Sequence, residues 1–179
     1  MPDKSDFGLS DSHEMIRGGE RVLIRQARPE DAALYPNFIR DVSADDLRLR
    51  FFGGVTELTA TEIDKLTELG HRHEMAFIAL DEDTGHMLGL VRLIDESDEK
   101  TAQFAILVRS RLKGHGLGWL LMRRVIDYAQ QKGLRRMYGD VLVENTTMLQ
   151  MCAEMGFHAE SVESYIKRVV LDLENISAR

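Results

Sequence analysis

The stretch from Phe104 to Lys132 most constrains what this chain can fold into. An apolar run, Phe104-Ala105-Ile106-Leu107-Val108, precedes a basic glycine-rich segment, after which Leu117, Leu120, Leu121, Val125, Tyr128 and Ala129 recur at helical spacing. The order predicts a strand, a loop and a helix. In the loop, Gly114, Gly116 and Gly118 permit close backbone approach, so several amides can turn toward one bound group. The helix N-terminus behind them favours an anion. Arg109, Arg111, Lys113 and Arg123 add positive charge, with no acidic residue between Val108 and Arg124. The expected ligand is a phosphate or pyrophosphate.

Two common phosphate loops are excluded by spacing. No Gly-Lys-Ser/Thr ending is present to hold magnesium, and Gly114, Gly116 and Gly118 miss the dinucleotide fingerprint, whose third glycine falls three residues after the second. Lys113-Gly114-His115-Gly116-Leu117-Gly118 instead resembles the signature of the GNAT acetyltransferases: Gln or Arg, two residues, Gly, one residue, Gly, with Lys113 a conservative departure. Arg111 to Gly116 fits in a second register. Only the first leaves Leu117 and Trp119-Leu120-Leu121 in the helix as that family has them.

With 179 residues, 44% hydrophobic and 30% charged, the chain has the length and composition of one soluble domain. A net charge of −7 argues against general nucleic-acid binding and suits a cationic partner. Cys152 is the only cysteine, so no intramolecular disulfide forms and a reducing compartment is expected. Nowhere are there about 18 consecutive apolar residues, the length a spanning helix needs. The expectation is a cytoplasmic protein, without membrane or nucleic-acid partners, as a monomer or homodimer.

Along the chain, residues 1–20 read as a flexible arm, 21–174 as one domain and 175–179 as a tail. A strand is expected over Arg21–Ala27, a helix from Arg28-Pro29-Glu30-Asp31, a second capped by Ser43 and ending at Gly53-Gly54, and a third over Thr59–Leu69. Glu74–Leu80 and His86–Ile94 form a hairpin, followed by a strand over Thr101–Val108 and a long helix that stops at Gly133. A strand over Met137–Val143, a short helix capped by Asn145 and a last strand over Tyr165–Leu173 complete the pattern. This is a mixed α/β sheet packed by helices, in the GNAT order, and the resemblance covers Val22 to Leu173. A narrower resemblance, in Ile24 to Ala32, Asp46 to Phe52 and His73 to Phe77, is to the acetyltransferase domain of bacterial Pat-type protein lysine acetyltransferases. Those domains are usually fused to an acyl-CoA synthetase-like region, which this chain does not carry; Met1 favours a free-standing relative over an excised domain.

The resemblance implies direct transfer of an acetyl group from acetyl-CoA to a primary amine, with no metal. An alkylammonium has a pKa of about 10.4 and must lose a proton before it attacks. In the family, the strand holding Ile106, Leu107 and Val108 pairs with the pantetheine arm, and a backbone amide near Leu107 or Val108 meets the oxyanion. Lys113, Gly114, His115, Gly116, Leu117, Gly118 and Trp119, together with Asn145, are the remaining expected cofactor-binding positions.

The departures fall at the proton-transfer positions. Gln103 stands where Pat-type domains carry a glutamate base, and an amide cannot take that proton. Cys152 stands where many GNAT enzymes have a tyrosine that protonates the leaving thiolate, although a buried helix cysteine is the plainer reading. Glu144, at the end of its strand, and His71 or His73 are the candidate replacement bases, Glu144 reading equally as a solvated strand-end carboxylate; Arg48 and Arg50 lie on the segment that is near the acceptor side in the family. Met75, Phe77, Leu90 and Met148 suit an acyl pocket or the core equally. The favoured acceptor is a protein lysine. A small-molecule amine is the enzymatic alternative, and a CoA-binding sensor that has lost its base is the non-enzymatic one.

Overall fold

The computed structural model describes residues 9–52 and 74–176. Its strands are β1 Ser12–Met15, β2 Arg21–Gln26, β3 Glu74–Asp81, β4 Met87–Asp95, β5 Thr101–Val108, β6 Arg136–Leu142, β7 His158–Glu163 and β8 Ile166–Asp172. The α-helices are α1 Tyr35–Arg40, α2 Ala44–Phe51, α3 Leu117–Lys132 and α4 Thr146–Glu154, with 3-10 turns at Pro29–Leu34, Ser110–Leu112 and Leu173–Asn175. The eight strands form one sheet in the order β1-β2-β3-β4-β5-β6-β8-β7. Every pairing is antiparallel except β5 with β6, which α3 joins as a crossover.

Helices cover both faces, which is why β3 and β4 read as nearly continuous apolar runs. Leu121, Met122 and Val125 of α3 pack on Phe77, Val91, Phe104 and Ile106, while Tyr35 and Phe38 of α1 and Leu47 of α2 pack on Ala76, Ile78 and Leu90. Strand β5 alternates between the two layers: Ala102, Phe104 and Ile106 enter the α3 side, and Leu107 packs on the other. Gly139 of β6 is needed for a close approach, because a Cβ there would lie 2.6 Å from the Phe104 ring. That ring also meets Phe157 edge-on, with centroids 5.5 Å apart.

Two strands lie where no strand was expected. Ser12–Met15, assigned by sequence to the flexible arm, pairs with β2 as the sheet edge, and His158–Glu163 pairs with β8 at the opposite edge. Neither presents a fully apolar face: β1 alternates partly buried and exposed residues, and all of β7 is exposed. The expected helix over Thr59–Leu69 and the candidate bases His71 and His73 lie outside the described residues. Among the described residues no helix is long and apolar enough to cross a membrane.

A buried ion pair fastens the first turn of the helical layer to the sheet. Arg25 of β2 donates to both carboxylate oxygens of Asp31, at 2.8 and 2.7 Å, and Asp31 also accepts the Arg28 amide at 2.7 Å. Burial opposes ionisation of Asp31, but these hydrogen bonds outweigh it and hold the carboxyl below its ordinary value. A depressed folded pKa contributes stability that is full above the unfolded value of about 3.9 and is lost as pH falls through the folded one. Asp31→Ala, which strands Arg25, is expected to cost about 3–5 kcal/mol in urea denaturation at neutral pH. Asp31→Asn flattens the acid limb of the stability curve measured from about pH 7 down to about pH 3.

Candidate active site

Strands β5 and β6 pair at Thr101↔Arg136, Ala102↔Met137 and Gln103↔Tyr138, and then part, although β5 continues to Val108 and β6 to Leu142. The gap opens a cleft of about 550 Å³. Gln103 through Val108 form one wall, Asp140 and Val141 the other, with Met148 and Met151 from α4 and Asp46, Leu49 and Arg50 from α2. The Arg109 amide donates to Leu88 O at 2.9 Å, and Val108 lies opposite Gly89. Bonding alternates along an antiparallel ladder, so the Leu107 amide is used by β4 while those of Ile106 and Val108 face the gap. This is a strand edge ready to pair with an extended ligand.

The loop before α3 has the backbone geometry of an anion cradle. Gly114 and Gly116 adopt φ of 79° and 90°, and a Cβ on either would meet nothing within 4 Å, so the space before the backbone is open. The first amides of α3, at Leu117, Gly118 and Trp119, have no acceptor within the helix, and its first turn carries no acid. Lys113, Gly114, Gly116, Gly118, Trp119 and Asn145 all border the cleft. Asn145 also caps α4, accepting the Met148 amide at 3.3 Å. Leu117 is buried in the core instead, and His115 does not border the cleft; its Nδ1 is buried without a hydrogen-bond partner among the described residues.

The basic side chains are less free than their sequence suggests. Arg109, only 3% exposed, donates to Met87 O at 2.6 Å and pairs with Asp41, so its charge serves the packing of α1 and not the loop. Arg111 pairs with Glu20 at 2.8 Å and Lys113 with Asp46. Burial opposes ionisation of Asp46, yet hydrogen bonds from Lys113, Ser110 and the Ser43 helix cap hold its carboxyl below the ordinary range.

Of the three expected catalytic positions, Gln103 borders the cleft and the other two do not. Glu144 is drawn outward to Arg48 at 2.7 Å, and that contact lowers its pKa. Arg48 is held in turn by Asp45 at 2.8 Å. Cys152 is fully buried among core side chains, and desolvation pushes its thiol up to about 12. Phe77 and Leu90 lie in the core, Met75 packs against it, and Met148 reaches the cleft. Sequence reasoning missed Asp140 and Arg17. Asp140 faces the gap on β6 and is gripped by Arg168 at 2.8 and 3.1 Å. Arg17 borders the cleft from the β1–β2 turn, its amide on His115 O at 3.1 Å; the following Gly18-Gly19 was the available signal. Among the described residues no cluster of His, Cys, Asp or Glu is arranged to hold a metal.

A parted strand pair with an apolar edge and a glycine-lined anion cradle at the start of a helix defines an acyl-CoA-dependent transferase site. Residues 42–157 match the Acetyltransferase (GNAT) family, and the chain belongs to it. The chain is similar to an acetyltransferase of Pseudomonas aeruginosa, 32% identical over 146 residues that span 80% of this chain and 78% of that one. Its fold is that of the GNAT domain of S. lividans PAT, with TM-score 0.82 at 22% identity over 90% and 96% of the two chains. A Vibrio cholerae spermidine N-acetyltransferase in complex with CoA and spermine superimposes with TM-score 0.70, at 22% identity, over 86% and 96%. The protein is an acetyl-CoA-dependent N-acetyltransferase.

Gly116→Asp puts a carboxylate into the open cradle and strains a left-handed position. It is expected to weaken CoA binding by about a hundredfold or more in titration calorimetry, equivalent to about 2.8 kcal/mol. Lys113→Ala is expected to weaken binding by only about tenfold, because Lys113 has to give up Asp46 before it can engage a phosphate.

Proposed function

We propose that the acceptor is the side-chain amine of a protein lysine. The observation that carries this reading is the charge of the cleft. Its bordering carboxylates among the described residues, Asp46 and Asp140, are each engaged by a cation, Lys113 and Arg168. A polyamine brings several ammonium groups and needs several uncommitted carboxylates; a lysine side chain brings one. Arg50 on the cleft wall adds repulsion against a polycation. The residue patterns shared with Pat-type domains support the same acceptor. The spermidine enzyme shares the fold, and a small amine is the competing reading.

Bound acetyl-CoA supplies an activated thioester. The chain's own contributions follow from the cleft. The β5 edge aligns the extended arm through the Ile106 and Val108 amides, and the same amides face the carbonyl oxygen as negative charge develops on it. Asp140, opposite β5, is held by Arg168 but keeps a lone pair on each oxygen, enough to orient one incoming ammonium and pass its proton to water, assisted by the Gln103 amide, which can hydrogen bond but not ionise. The thiolate leaves as the free thiol of CoA, taking through water the second proton that the tetrahedral nitrogen releases, while the α3 N-terminus and Lys113 hold the phosphate end of the product. The sole cysteine and a thioester substrate suit a reducing bacterial cytoplasm.

Release of free thiol from acetyl-CoA tests the acceptor. A lysine-bearing peptide is expected to surpass spermidine in kcat/KM by about tenfold or more. Asp140→Asn lowers kcat by about a hundredfold while CoA still binds. Faster turnover with spermidine overturns the lysine reading, and CoA binding without turnover of any amine favours the sensor.

A further inference from the structure

Arg50 differs from most of the partly buried arginines; Arg124, which also faces no carboxylate among the described residues, donates instead to the Ser10 carbonyl. Arg25, Arg92, Arg109 and Arg168 each face a carboxylate, from Asp31, Glu74, Asp41 and Asp140 respectively. Arg50 has none among the described residues; its contact is the face of the adjacent Phe51 ring, 4.7 Å from the guanidinium. Burial and the nearby Arg92 charge lower its pKa to about 10, which still leaves it a cation at neutral pH. Removing a cation from water without a paired anion is unfavourable, and a ring face offsets only part of that cost. Departures of this kind from packing rules concentrate at functional sites.

Its position indicates what the missing partner is. Arg50 borders the main cleft and also a small recess lined by Leu90, Arg92 and β5 residues Ala105, Ile106 and Leu107. The loop glycines that form the phosphate cradle border only the main cleft. The guanidinium therefore stands beside the stretch of β5 whose Ile106 amide faces the reacting centre, separate from the phosphate site. A guanidinium fork matches a carboxylate through two parallel hydrogen bonds. We propose that Arg50 binds a carboxylate delivered by a substrate, carried either at the far end of the acyl chain or on the acceptor close to its amine. This inference rests on the transferase reading of the cleft and adds a chemical class to it: a substrate with a negative charge near the transferred group.

Calorimetric binding separates the two sources and does not depend on turnover. In the first arm, succinyl-CoA is compared with butyryl-CoA, which has the same chain length and no charge. In the second, with CoA bound, Nα-acetyl-lysine is compared with its methylamide. The carboxylate member is expected to bind about tenfold tighter or more in one arm. That ratio falls to within about twofold in both Arg50→Leu and Arg50→Gln, the wild-type comparison standing even where a variant folds poorly. Equal affinities in both arms, or a preference that survives both substitutions, overturn the Arg50 site while leaving lysine acetylation untouched. Thiol release from acetyl-CoA with uncharged lysine peptides tests that reading separately.

Discussion

Strands β5 and β6 share three residue pairs and then separate, and the functional features of the molecule depend on that parting. A sheet that remained paired to the ends of both strands would use the outward amides of β5 internally and leave no cleft. The parting exposes one edge of a central strand, normally a liability, inside a pocket bounded by α2 and α4. Two packing features accompany it. Gly139 leaves room for the Phe104 ring against β6, and Phe157 closes on that ring from the end of α4. The same strand thus anchors the core through Phe104 and Ile106 and presents its backbone to a ligand.

The charges around the cleft divide into those that build the fold and those left for chemistry. Arg109 and Arg25 hold α1 and the first 3-10 turn against the sheet, and Arg92 of β4 is paired with Glu74 of the neighbouring β3. Lys113 and Asp46 form a contact between α2 and the loop, at the border of the cleft. Glu144 and Arg48 form another, between α2 and the end of β6, on the exposed side. Helix α2 is therefore tied by ion pairs to both sides of the parted strands, and Arg50 on the same helix has no carboxylate partner among the described residues.

Much of this was legible in the sequence. The run from Phe104 to Lys132 carries two clear periods and a glycine pattern, and it places a strand, a cradle and a helix within a residue or two of where they lie. β1 and β7 were not legible because an edge strand with an exposed face has no apolar alternation to read, and a Ser-His-Glu-Met segment looks like any polar arm. Partnering of charges was equally hidden. Arg109, Arg111 and Lys113 are neighbours in sequence, yet their acids are Asp41, Glu20 and Asp46, 67 or more residues away. Asp140 escaped notice because a lone carboxylate in a strand becomes significant only when the neighbouring strand departs.

The central claim is that the unpaired edge of β5 and the start of α3 together hold the acyl-CoA. Amide hydrogen exchange resolved to single residues, with and without CoA, tests it most directly. The account predicts slowed exchange at Ile106, Val108, Gly116 and Gly118, with little change at Leu107, whose amide β4 already uses. Protection confined to other surfaces, or none on β5 under saturating CoA, would contradict it.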